Sequence, residues 1–216
     1  MNPEKQIGLQ LRELIESSNT DLSWRDDITK AFISFGKSLL RWNKKIRLTG
    51  AASLHDLSDR HFVDSLIALS TIAKLPEGST VLDVGSGAGF PAIPLAILRP
   101  DLHWLLVESH HKRAAFLQQA RRDLKLPNMK IRPVRFDGEP EKEKLPTDCA
   151  CVTFRAVNPE QVLPIIHHYL SPEGQVLYWG TEHTPPSCPE TLTLTDTTSY
   201  TLSQGESFCL YTFNVA

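Results

Sequence analysis

The stretch VLDVGSGAGFPAIPLAI, Val81 to Ile97, carries the residues whose types and spacing bear most directly on chemistry. Gly85, Gly87 and Gly89 alternate between two apolar runs. A glycine turn that follows a strand and opens a helix lets backbone approach a ligand closely, and in a doubly wound sheet such turns line the crevice at the carboxyl ends of the strands. A tight turn with no ligand is the bland alternative. A P-loop is excluded, because no Lys-Ser/Thr pair follows the glycines. A dinucleotide fingerprint places its third small residue at the sixth position, where this chain has Phe90. Asp83, just before the loop, suits an ammonium-bearing ligand better than a pyrophosphate. Glu108 ends the next apolar run, 23 residues after Gly85, close to the separation expected of a ribose-binding acid. Asp83, Gly85, Gly87, Gly89 and Glu108 therefore read as a cofactor site, and S-adenosylmethionine fits them better than NAD.

The elements that must position this loop follow from periodicity. Residues 1–75 read as helical. Asn2-Pro3 is a helix start, Ile7, Leu11, Leu14 and Ile15 recur at helical spacing, and Ser23 with Asp26 resembles a capping box. Trp24, Ile28, Ala31, Phe32, Phe35 and Leu39 form a second stripe; Ser53 with Asp56 repeats the cap signal before a third stripe of Phe62, Leu66, Leu69 and Ala73. From Leu75 onward short apolar runs alternate with helical stretches. Strands are expected at 79–84, 102–108, 129–134, 149–154 and 174–179, and helices at 90–99, 110–125 and 159–170. That alternation predicts a parallel, doubly wound α/β sheet. After the proline-broken TEHTPPSCPE, two further strands close the sheet as an antiparallel pair, giving seven. The expected organisation is a helical extension over 1–75 and a Rossmann-like domain over 76–216.

Composition narrows the class. With 216 residues, 41% of them hydrophobic, the chain can bury a substantial core without staples. The opening MNPEKQIGLQ has no apolar h-region and no run is long enough to span a bilayer, so neither signal peptide nor membrane partner is expected. Four cysteines without CxxC spacing predict reduced thiols, a cytoplasmic setting and no metal site. The net charge of −2 hides an asymmetry: residues 1–135 carry 20 basic and 14 acidic side chains, residues 136–216 only 3 against 11. A basic front can dock a polyanion on one face.

Five segments, in order, resemble one family: RWNKKIRLTG (Arg41 to Gly50), DRHFVDSL (Asp59 to Leu66), the glycine stretch, VESHHKRAAFLQQ (Val107 to Gln119) and FRAV (Phe154 to Val157). They are similar to the bacterial 16S rRNA guanine-N7 methyltransferases, ribosomal small subunit methyltransferase G or glucose-inhibited division protein B, over roughly residues 40–180. The resemblance implies a class I methyltransferase fold with a helical extension, S-adenosylmethionine as cofactor, and 16S rRNA or the small subunit as partner, with guanine 527 the family's target. It places cofactor contacts on Gly85, Phe90, Phe136, Asp137 and Arg155. Four positions depart from its pattern: Phe154 replaces a serine, Arg47 an asparagine, Ala92 a glycine, and Trp179 stands where a lysine is usual.

Guanine N7 has a free in-plane lone pair and no proton to remove, so such an enzyme needs alignment rather than a general base. No nucleophile–base pair stands near the expected strand ends, and Cys149 and Cys151 alternate within a strand as buried thiols do. Arg155, at the carboxyl end of the fourth strand, is the candidate catalytic residue. Arg41, Lys44, Lys45 and Arg47 beside Trp42, then Arg60, His61, Lys112 and Arg113, are the candidate RNA contacts. A small-molecule methyltransferase, a non-catalytic RNA-binding assembly factor and an NAD oxidoreductase remain alternatives to the rRNA enzyme. The chain is expected to act as a monomer.

Overall fold

A computed structural model describes residues 3–181, 185–203 and 205–216; Asn2 and part of the 181–190 connection lie outside them. The helical start comprises α1 (Pro3–Ser17) and α2 (Asp26–Asn43). Then come α3 (Leu54–Leu57), a π-helical turn (Ser58–Phe62), α4 (Val63–Leu66) and α5 (Leu69–Ile72). The capping box at Ser53 forms as expected, with Ser53 and Asp56 exchanging side-chain and backbone hydrogen bonds. The one expected at Ser23 does not: α2 starts at Asp26, after an extended Arg25 whose side chain caps nothing. Asp26 and Asp27 in its first turn answer the orphaned amides electrostatically instead. The third stripe is broken by the π turn, a device that recurs at functional sites, and that turn carries Arg60 and His61.

The remaining elements alternate. They are β1 (Thr80–Val84), α6 (Ala92–Leu98), β2 (His103–Val107), α7 (His111–Asp123), β3 (Met129–Arg132), α8 (Pro140–Glu143), β4 (Cys149–Arg155), α9 (Pro159–Ile166), β5 (Leu170–Thr181), β6 (Leu192–Thr201) and β7 (Ser207–Val215). The seven strands run in the order β3-β2-β1-β4-β5-β7-β6. Neighbours are parallel except β7, which is antiparallel to both β5 and β6. The closing pair is thus antiparallel as expected, with the last strand inserted between β5 and β6. β5 starts earlier than its apolar run predicts, because Leu170 already pairs with Cys149 before a bulge shifts the register to Cys151↔Gln175. α9 stops at Ile166, short of the expected 170; a 3-10 turn over His167–Tyr169 then leads into β5.

The sheet buries both faces. On one, Val81, Trp104, Leu106, Cys151 and Leu177 meet α1, α2, α6 and α7 in one continuous core. On the other, Leu82, Val107, Val152, Phe154 and Tyr211 meet α9 and the 3-10 turn. The helical start therefore thickens one layer of the sandwich, and α2 reaches the glycine loop directly, with Phe35 5.4 Å from Phe90. Among the described residues no helix is long and apolar enough to cross a membrane.

Candidate active site

The chain leaves β1 through three glycines that all need left-handed backbone: φ is +68° at Gly85, +52° at Gly87 and +90° at Gly89. Their reasons differ. A Cβ on Gly85 would stand 2.5 Å from Val157 Cγ2, so the β1 turn and the turn after β4 touch at that point. A Cβ on Gly89 would stand 2.5 Å from Ile93 Cδ1, which closes the loop onto α6. Gly87 has room for a side chain but not the backbone for one.

Glu108 organises this loop from the end of β2. One carboxylate oxygen accepts the Gly87 N–H at 2.8 Å, and the other accepts the His110 N–H at 2.8 Å. The loop is also tied to β2 by the Ser86 N–H donating to Val107 O at 3.0 Å. Beneath it, Asp83 is buried, its Oδ1 accepting from Thr153 Oγ1 at 2.7 Å while Oδ2 has no partner. Burial, partly offset by the hydroxyls of Ser86 and Thr153, pushes the Asp83 carboxyl up to about 7.

Two cavities flank the glycines. The larger, about 730 Å³, is lined by Gly85, Glu108, Phe136, Asp137, Val107 and Val162, a volume in the ordinary range for a small-molecule site. The smaller, about 380 Å³, is lined by Thr49, His61, Gly87, Phe90 and Arg155. Gly85, Arg113 and Ala156 border both, so the two adjoin at the glycine turn. Ala156 has φ +56°, a left-handed position uncommon for alanine, and it turns the chain away directly after Arg155.

The smaller cavity is built by distant segments. Arg155 Nη1 lies 2.7 Å from Asp64 Oδ2 of α4, and its Nη2 donates to the Arg60 carbonyl at 3.3 Å. The other Asp64 oxygen accepts from the Tyr200 hydroxyl of β6, and the Asp64 carbonyl accepts from Trp179 Nε1 of β5 at 2.8 Å. Burial raises the Asp64 carboxyl and outweighs the opposing pull of Arg155 and Tyr200. The His61 ring stacks on Phe90 at 4.7 Å with Nε2 2.8 Å from Thr49 Oγ1. Burial, then the cations Arg155 and Arg60, lower its pKa to about 3, so it is neutral.

The family model for rRNA small subunit methyltransferase G matches residues 28–190. The chain belongs to that family. It is 40% identical over 154 residues to the ribosomal RNA small subunit methyltransferase G of Helicobacter hepaticus, covering 70% of this chain and 80% of that one. Identity to the Paracoccus denitrificans protein of the same name is 38% over 147 residues, covering 68% and 72%. Among solved structures, a SAM-dependent methyltransferase from Aquifex aeolicus superposes with a TM-score of 0.57 at 15% identity over 82% of this chain and 98% of that one. That likeness carries the class I methyltransferase fold.

The departures from the family pattern are absorbed structurally. Phe154 is fully buried and stacks on Tyr178 at 4.6 Å. Trp179 is buried and holds the Asp64 carbonyl. Ala92 is buried at the start of α6, and Arg47 is exposed. Of the sequence-chosen cofactor residues, Gly85, Glu108, Phe136 and Asp137 line the larger cavity. Gly87, Phe90 and Arg155 line the smaller. Asp83 and Gly89 line neither: Asp83 lies under the loop and Gly89 packs it, because strand alternation and helix closure turn them inward.

Arg113 and His61 of the RNA set reach the cavities, whereas Arg41, Lys44, Lys45, Arg47, Arg60 and Lys112 are exposed outside them. Trp42 packs edge-on against Phe116 at 5.8 Å as a core residue. Ser65 Oγ donates to the His61 carbonyl at 2.6 Å, a local helical pair, and the His61 ring turns to Thr49. Sequence reasoning does not pick out Thr49, Asp64 and Tyr200 as site builders. Asp64 follows His61 by three residues and so had a helical-spacing signal; Tyr200 had none.

Proposed function

We propose that this protein transfers a methyl group from S-adenosylmethionine to N7 of a guanine in 16S rRNA, guanine 527 by the family pattern. The observation that carries the reading is the pair of adjoining cavities at the glycine turn, one with an acid and apolar walls, the other with a fixed arginine and a neutral histidine. The larger suits the cofactor: Gly85, whose Cβ would meet Val157, keeps the turn narrow beside it, and Glu108 Oε2, which accepts one backbone N–H, keeps a lone pair for a ribose hydroxyl. Phe136, Val107 and Val162 offer apolar walls to an adenine, with Asp137 at its edge. When bound, S-adenosylmethionine supplies an electrophilic methyl group on a sulfonium.

The chain's own residues then orient the base. Arg155, held by Asp64 and the Arg60 carbonyl, borders the smaller cavity. A single guanidinium N–H donated to guanine O6 would leave the N7 lone pair free to attack, whereas the bidentate O6/N7 contact would occupy it. His61 adds a neutral, stacked ring that neither repels a base nor competes for a proton. Cys149 and Cys151 are poor nucleophiles: both are buried, and burial pushes the Cys149 thiol up to about 12 and Cys151 further. Alignment is then the main source of rate, worth up to roughly 7–11 kcal/mol in favourable cases.

The exposed Arg41, Lys44, Lys45, Arg47, Arg60 and Lys112 would meet rRNA phosphates around the cavity mouth, with Arg113 at its border. Residues 1–75 act as an extension built onto the methyltransferase domain, and the protein works as a cytoplasmic monomer. The test is transfer from radiolabelled S-adenosylmethionine to small subunits lacking the modification, with the modified base mapped. Label at a guanine N7 is expected; no label from a chain that binds cofactor would overturn the reading.

A further inference from the structure

A further groove runs along the β3 edge of the sheet and reaches Arg132, whose carbonyl accepts the Glu108 N–H at 3.1 Å. The groove, of about 790 Å³, is bordered by the amino-terminal residues Thr80 of β1 and His103 of β2, the edge strand β3 and the end of α7. Thr80 lies five residues before Gly85, roughly 17 Å at about 3.3 Å per residue. Five cations line the groove, Arg121, Arg122, Lys130, Arg132 and Lys144, and no carboxylate does. Lys125 borders the adjoining hollow with Arg121 and Arg122. None of the six takes part in an ion pair found among the described residues. This concentration stands in a chain of net charge −2.

Ordinary causes explain only part of it. Arg121 and Arg122 complement the α7 dipole, and Lys130 protects an edge strand from pairing. Edge protection extends to Arg132, the last residue of β3, but neither cause covers Lys144, whose carbonyl accepts from Arg132 Nη2 at 2.7 Å. Arg121 is likewise anchored, Nη2 to the Pro127 carbonyl at 3.4 Å. Lys125 and Lys144 have φ of +52° and +56°. Both follow helices at positions where glycine is the strain-free choice. A long cationic side chain kept at a left-handed position points to use of the charge.

We propose that this groove is a second rRNA-binding surface, which takes a phosphodiester backbone along the β3 edge, beside rather than within the methyl-transfer cavities. It rests on the reading of the protein as an rRNA methyltransferase and extends it from the site of chemistry to the docking of the substrate. Anchored guanidiniums and ammonium groups at the rim would neutralise several phosphates without reading bases.

The experiment compares the full-length wild type with Arg122→Glu/Lys130→Glu, and with the charge-matched control Lys5→Glu/Lys30→Glu on the exposed surface of α1 and α2. Binding to naked 16S rRNA is measured across salt concentrations, and methyl transfer to small subunits supplies KM and kcat. The groove variant should bind at least tenfold more weakly, and its salt slope should be smaller by about 0.7–0.9 for each phosphate it no longer neutralises. Its loss of activity should fall in KM. The control should move neither quantity comparably.

Lys125→Gly and Lys144→Gly supply a readout that a structural role would not give: they should melt no lower than wild type yet bind RNA more weakly. Equal affinity and slope in wild type and groove variant would overturn the proposal, as would a loss confined to assembled subunits, which would indicate a protein partner. If wild type binds rRNA through the groove without transferring methyl, the docking surface stands and the catalytic reading falls. If wild type methylates with a KM that the groove variant shares, the reverse holds.

Discussion

The glycine-loop site and the β3 edge of the sheet handle polar groups in opposite ways. At the carboxyl ends, Glu108, Asp83 and Asp64 are almost fully buried, and backbone amides, hydroxyls or the Arg155 guanidinium answer their charges. At the β3 edge, six cations stand in or near solvent and no acid lines the hollows they border. Buried groups are costly when left unpartnered and so fix geometry. Solvated charges fix little but act over a Debye length, about 8 Å at physiological salt. A chemical site needs the first arrangement and a docking surface the second.

The comparison is broken most severely at the loop and at Asp64. Arg155→Ala would leave Asp64 buried without its cation. About 3 kcal/mol of stability should go, the low end for a broken buried pair because Arg155 is partly exposed. Methyl transfer should vanish with it while cofactor affinity changes little; denaturant unfolding and isothermal titration separate the two. Glu108→Ala removes the acceptor of two backbone amides, at about 1–3 kcal/mol each. S-adenosylmethionine affinity, read by the same titration, should fall by roughly 100-fold.

Smaller effects sharpen the contrast within the glycine loop. Gly85→Ala meets both Val157 and a left-handed backbone, whereas Gly87→Ala meets only the backbone. Gly87→Ala should therefore cost about 1–2 kcal/mol and Gly85→Ala clearly more. Equal losses in thermal melts would show that contact with Val157 is not what keeps Gly85.

The smallest expected effect is on pH dependence, where two buried groups oppose each other. His61, held at about 3 against 6.5, refuses a proton that the unfolded chain takes up, so its contribution to stability is lost as pH falls from about 6.5. Asp83, raised to about 7 from 3.8, keeps a proton that the unfolded chain releases, so its contribution is lost as pH rises from about 4 to 7. Each slope is bounded by about 1.4 kcal/mol per pH unit. Between roughly pH 4 and 6.5 they offset. Asp83→Asn should expose a steeper loss toward acid, and His61→Gln a steeper loss toward neutral pH, in unfolding measured across that range. An unchanged profile in both variants would mean that neither group carries its shift.

By itself the sequence determined the alternation of strands and helices, the glycine turn and Glu108 as its partner acid. Those are local properties: side-chain period, the conformational freedom of glycine, and the fixed length of one βαβ unit. It also placed Arg155 at a strand end. Asp83, the early third glycine and Glu108 pointed to S-adenosylmethionine over NAD, and the family motifs agree. It could not determine that Asp83 and Gly89 face inward, because the same spacing serves a ligand or a core.

Only the tertiary structure decided the order β3-β2-β1-β4-β5-β7-β6, since a hydrophobic run does not name its neighbour. Only it joined Asp64, Trp179 and Tyr200 around Arg155, across 136 residues of chain in the case of Tyr200 and Asp64. Only it gathered Arg121, Arg122, Lys130, Arg132 and Lys144 into one groove. Charges and hydrogen-bond partners act through space, and the sequence records distance along the chain alone.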